Sequence, residues 1–105
     1  MYELIRQTIH YSLHLIFPGI IAVVFFKEFW KKTWLIFLST MLLDLDHLLS
    51  TPIFDPNRCS INFHYLHTYY AAFFYFIILL SKRLRLFGIG AIFHLLTDLE
   101  DCLWI

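Results

Sequence analysis

A chain of 105 residues that is 60% hydrophobic and only 15% charged has too little polar surface to wrap a water-soluble core, and it is short enough for one domain at most. Its formal net charge of zero excludes the basic footprint that nucleic-acid binding needs. Two cysteines exclude a disulfide-rich scaffold and a cysteine zinc finger.

These totals predict an all-α, polytopic membrane protein, a single domain over residues 1–105 built as an up-down bundle of four short transmembrane helices. A lead-in containing Glu3 and Arg6 precedes the first apolar run, residues 9–26. The histidines in that run, and the absence of a small-residue cleavage site, argue against a removable signal peptide. Pro18 inside it predicts a kink, because proline supplies no backbone N–H. A basic turn, Lys27 to Lys32, leads to the second run, residues 33–49, which ends in Asp44-Leu45-Asp46-His47. Residues 50–63 contain Pro52, Pro56 and an Asp-Pro-Asn sequence, and read as a loop. The third run, 64–80, opens with His64 and His67, and the fourth, 86–105, carries Gly88 and Gly90 early and His94 and Asp98 late. Between them lies a second basic turn, Ser81 to Arg85.

With four spans alternating in direction, the two basic turns share a face, and the excess of Lys and Arg makes that face cytoplasmic. Both termini and the 50–63 loop then lie on the non-cytoplasmic side. Counting about 1.5 Å per residue from the cytoplasmic end puts His14, Asp44, Asp46, His47, His67, His94 and Asp98 between about 12 and 21 Å up, in one layer. An ionisable side chain at that depth costs a few kcal/mol, so a layer of them calls for mutual partners or a cation.

Imidazole and carboxylate together are the ligands of zinc, manganese and iron, and so many donors suffice for one or two divalent ions, zinc first and manganese or iron as alternatives. Spacing supports shared faces: His10 and His14 are four apart, as are His94 and Asp98, while Asp44 and His47 are three apart. We expect His14, Asp44, His47, His67, His94 and Asp98 to hold the ions directly, with His10 beside them. Asp46 points about 100° away from His47 on an α-helix, so it bridges ions, orients a histidine on a neighbouring helix, or acts as a general base. Asp46 and His64 are the catalytic candidates, His64 as a proton carrier. Haem between His14 and His94 has no use for the carboxylates. Cys59 and Cys102 fall on the non-cytoplasmic side, where they form a disulfide or stand as free thiols, Cys102 being a soft ligand one turn beyond Asp98 in the second case.

The Asp44-Leu45-Asp46-His47 sequence, the His64/His67 pair and His94-Leu-Leu-Thr-Asp98 together resemble the bacterial inner-membrane metal-dependent hydrolases, which are themselves similar to zinc-dependent phospholipases of the phospholipase C type. His10 or His14 matches that pattern's early histidine. The third element, His64-Tyr65-Leu66-His67-Thr68, lacks the arginine that follows the first histidine there. Across nearly its whole length the chain also resembles an uncharacterised family of small bacterial four-helix membrane proteins. The resemblance implies a metal-binding protein of the bacterial inner membrane that cleaves a lipid or phosphoester, with membrane lipids around it. Four short helices are few to wall off a site, which leaves room for a homodimer. The alternative is a non-catalytic metal-binding protein, or one that translocates ions or protons. Few polar groups continue into the cytoplasmic half, which weighs against a transport path.

Overall fold

The computed structural model describes residues 2–51 and 58–104. The Pro52 to Asn57 part of the expected loop lies outside the described residues. Every regular element among the described residues is helical. The first run is α1 (Tyr2–Leu15) followed at once by α2 (Phe17–Phe25), with Pro18 in the first turn of α2. Proline is tolerated in a first turn, where its missing N–H costs little, and Ile16 between the two helices keeps right-handed helical dihedrals and the four-residue backbone bonds on either side.

A 3-10 turn, Lys27–Phe29, reverses the chain into α3 (Trp30–Ser39). The expected second helix then changes character: Thr40–Leu49, ten residues containing both aspartates and His47, is a 3-10 helix. The hydroxyls at the junction encourage this, since Ser39 donates to the Ile36 carbonyl and Thr40 to the Phe37 carbonyl, each three residues back. At about three residues per turn, positions three apart eclipse, so Asp44 and His47 stack on one edge and Asp46 points about 120° from each.

The third helix begins later than expected. Thr68 is extended and its hydroxyl accepts from the Ala71 amide, so α4 is Tyr69–Ile78 and both His64 and His67 precede it, His67 closing a short 3-10 turn, Tyr65–His67. The last helix, α5 (Arg85–Cys102), lies at the centre, with α1, α3, the 3-10 segment and α4 packed around it. Close approach explains that position. A Cβ on Gly88 would meet Ile78 of α4 and the adjoining Leu79 at 3.0 Å, and one on Gly90 would meet Thr40 at 2.8 Å and Phe37 at 3.0 Å. The apolar core, Leu43, Tyr75, Ile78, Ala91 and Leu95, is formed on this helix.

Tyr2 packs edge-on against Trp104, so the two ends of the described chain meet, and the basic turns lie at the opposite end of the bundle. Ten polar or charged residues are buried against seven hydrophobic ones among the described residues, while 31 large hydrophobic side chains are exposed. Inside and outside are thus inverted relative to a water-soluble domain. Four helical runs were expected as spans. Among the described residues one, Tyr2–Phe25, in which an 18-residue window has a mean hydropathy of 1.7, is long and apolar enough to cross a membrane; α4 is apolar but shorter.

Candidate metal centre

The late half of α5 delivers His94 and Asp98, one turn apart, to a point faced by Asp44 from the 3-10 segment and His67 from the turn before α4. Four atoms converge there. His67 Nε2 lies 3.1 Å from His94 Nε2, 3.4 Å from Asp44 Oδ1 and 2.8 Å from Asp98 Oδ2. His94 Nε2 lies 3.1 Å from Asp44 Oδ1 and 3.3 Å from Asp98 Oδ2. Donors held at 2.0–2.2 Å around a tetrahedral zinc stand about 3.3 Å from one another, so the spacing matches a four-donor metal site.

Proton accounting makes the same point. Asp46 Oδ2 lies 2.8 Å from His67 Nδ1 and accepts the Leu66 amide at 2.9 Å. A carboxylate only accepts, so a neutral His67 carries its proton on Nδ1 and turns the Nε2 lone pair toward Asp44, Asp98 and the second imidazole. Acceptors facing acceptors repel unless a cation lies among them. Asp98 Oδ2 lies 2.8 Å from His67 Nε2 yet makes no well-aligned hydrogen bond among the described residues. The Asp46–His67 contact is the carboxylate–histidine arrangement that orients metal-ligating imidazoles.

Two further groups adjoin the first. Asp98 turns its other oxygen, Oδ1, to His14 Nε2 at 3.2 Å and His10 Nε2 at 3.8 Å. One carboxylate therefore faces two clusters of imidazoles. On the other side Asp46 Oδ1 lies 3.2 Å from His47 Nδ1, and the His47 ring stacks on His64 at 3.8 Å. His64 stands in the connection ahead of α4, where burial, with His47 close by, lowers its pKa below the ordinary histidine value. The structure thus gathers His10, His14, Asp44, Asp46, His47, His64, His67, His94 and Asp98 in three contiguous groups, each able to present its donor atoms within 4.8 Å of one another. His47 is set apart from the four-atom cluster: its Nδ1 faces the Asp44 carbonyl at 3.0 Å and the Asp46 carboxylate.

A cavity of about 380 Å³ opens onto the cluster, bounded by α1, the 3-10 segment, the 58–64 connection and α5. Asp44, His10, His47, His64 and Asp98 line it, together with Arg58. Arg6 received no role from the sequence, yet it is buried and grips Asp101 with two bonds of 2.8 and 3.0 Å, fixing α1 to α5 at the cavity rim. Its signal was positional, since Arg6, His10 and His14 recur every four residues on one face. Tyr75 was equally silent; its hydroxyl donates to the Leu66 carbonyl at 2.8 Å and steadies the turn that carries His67. Cys59 and Cys102 are disulfide-bonded, tying the 58–64 connection to the end of α5.

The chain belongs to DUF6122, a family of unknown function. The family's profile matches residues 4–105. No curated protein and no solved structure matches the chain.

Proposed function

We propose that the protein is a membrane-embedded, metal-dependent hydrolase that cleaves a lipid or another phosphoester. The observation that carries the metal is the convergence of Asp44 Oδ1, Asp98 Oδ2 and His94 Nε2 on His67 Nε2 at 2.8–3.4 Å. Asp44, His67, His94 and Asp98 would hold one divalent ion, zinc by donor type, with manganese or iron as alternatives. His10 and His14 on the far oxygen of Asp98 would hold a second. A divalent ion supplies Lewis acidity, polarising a phosphoryl or carbonyl oxygen and making water more acidic.

The chain's own residues supply the rest. Asp46 fixes the tautomer and tilt of His67. His64 and His47 line the cavity as imidazoles able to take or give a proton. The buried Arg6–Asp101 pair holds α1 beside the cavity. Placement in the membrane is supported by the apolar exterior, the polar interior and the Tyr2–Phe25 run. The basic turns at one end favour a cytoplasmic position for that end, and the disulfide at the other fits an oxidising compartment. In this reading α3 with its 3-10 continuation, α4 and α5 join the first run as a bundle in the inner membrane of a bacterium, with both termini on the outer side.

One observation favours a second reading. Four protein donors complete a tetrahedral set, as in structural zinc sites, which would make this a non-catalytic metal-binding protein. Against that, the Asp44 side chain is 32% exposed and lines the cavity, so a donor of the set is accessible to a substrate. Detergent-purified protein is assayed for bound metal and for metal-dependent cleavage of a fluorogenic phosphodiester and of phospholipid vesicles. Hydrolysis is expected with wild type and not with Asp44→Asn. Bound metal with equal turnover in both proteins would leave only the non-catalytic reading; absence of bound metal would remove both.

A further inference from the structure

The segment from Arg58 to Thr68 carries two imidazoles of the site, His64 and His67, but has little regular structure to hold it. Several of its backbone bonds are internal: His64 N–H donates to the Ser60 carbonyl at 3.2 Å, His67 N–H to the His64 carbonyl at 3.0 Å, and Asn62 N–H back to the His67 carbonyl at 2.9 Å, while the Leu66 amide and carbonyl bond to the Asp46 and Tyr75 side chains. Asn62 adopts a left-handed φ of 62° at the turn, a conformation asparagine tolerates. The segment is therefore a small folded loop whose position depends on side-chain attachments. One of these is covalent. Cys59, eight residues before His67, is bonded to Cys102, one turn beyond Asp98 on α5. The disulfide thus connects the loop that supplies one metal donor with the helix that supplies two others. Both cysteines are only half-buried, so a small thiol can reach them.

We infer that the Cys59–Cys102 disulfide is a redox latch on the metal centre: closed, it holds the 58–67 loop against α5 so that His67 faces His94 and Asp98; open, it lets the loop move and the ion leave. The inference rests on the metal reading above. The reductant is a dithiol. Its thiolate attacks one sulfur of the bridge and the other cysteine leaves as a thiolate. The second thiol of the reductant then resolves the mixed disulfide, so two electrons pass from the dithiol, now a cyclic disulfide, to two cysteine thiols. Metal affinity falls because only the fraction of molecules with the loop in place binds, and apparent affinity scales with that fraction.

The experiment compares detergent-purified, disulfide-bonded protein with the Cys59→Ala/Cys102→Ala variant. Zinc affinity is read by competition with a chromophoric chelator, and helical content by circular dichroism. We expect zinc binding weakened about tenfold or more in the variant with helical content unchanged, and faster hydrogen exchange at the Leu66 and His67 amides. Affinities within twofold of each other would overturn the latch while leaving the metal reading intact. Should the variant lose helical content, the disulfide-bonded protein is opened instead with a trialkylphosphine; zinc release with the helices kept supports the latch. Loss of helices there too shows a staple of the whole fold and overturns it. Zinc binding by neither protein would overturn the metal reading, and the latch with it.

Discussion

The two halves of α5 are held in place by opposite means. From Arg85 to Leu95 the helix is seated by shape: Gly88 and Gly90 let α4 and α3 approach, and Ala91 is fully buried between them. Beyond His94 the contacts are polar and discrete, comprising the His94–Asp98 cluster, the Arg6–Asp101 pair and the disulfide at Cys102. Packing is distributed and gains a little from each atom pair, so it tolerates small losses but not added volume. A polar cluster depends on a few groups, each of which leaves buried partners unsatisfied when removed. One end of the helix is therefore seated by packing, and the other carries the polar groups of the candidate metal centre.

That contrast can be broken by substitutions at either end. The largest effect is expected for Asp98→Asn. Both oxygens of Asp98 face imidazoles, and an amide offers only one acceptor and no charge, so zinc affinity should fall by more than about 100-fold while the helical dichroism stays as it is. A change in melting temperature without a change in zinc binding would show that the carboxylate serves packing. Asp46→Asn touches no atom of the four-donor cluster but removes the charge that orients His67. Loss of such a supporting group costs about 10–100-fold in metal affinity, and chelator competition measures it. Wild-type affinity in that variant would mean that His67 is positioned without Asp46.

Gly90→Ala tests the other end and should have the smallest effect. The added methyl meets Thr40 Cγ2 at 2.8 Å and the Phe37 Cα at 3.2 Å, the second being backbone that cannot rotate away. Overpacking costs about 1–3 kcal/mol. Alanine returns about 1 kcal/mol of helix propensity, leaving a net destabilisation of about 1 kcal/mol by difference. It should appear as a lower melting temperature with zinc stoichiometry unchanged. A loss of zinc without a thermal shift would mean that the two halves are not separable.

Much of the arrangement was legible because spacing on a helix is geometry. His10 with His14 and His94 with Asp98 fall on shared faces at four-residue spacing in any α-helix, and the structure turns both pairs toward Asp98 and its neighbours. The 44–47 stretch was not legible in the same way. Its pattern is compatible with an α-helix, and the 3-10 form follows from hydroxyls bonding three residues back and from the packing of Phe37 and Thr40 under Gly90. The start of α4 was misplaced because His64 to Thr68 contains no glycine or proline; what halts the helix is the extended backbone and cap at Thr68. Asp46 carried three roles on sequence grounds, and its contact with His67 of the next helical run selects among them only once that run is in place.

By itself the sequence determined the helical class, the apolar exterior and the rough level at which each imidazole and carboxylate sits, because composition and periodicity act within one element at a time. Which nitrogen faces which oxygen, that one carboxylate serves two clusters, and that Cys59 reaches Cys102 were decided by tertiary structure. Those relations join residues as many as 88 positions apart in the chain, from His10 to Asp98, and only packing around α5 brings them together.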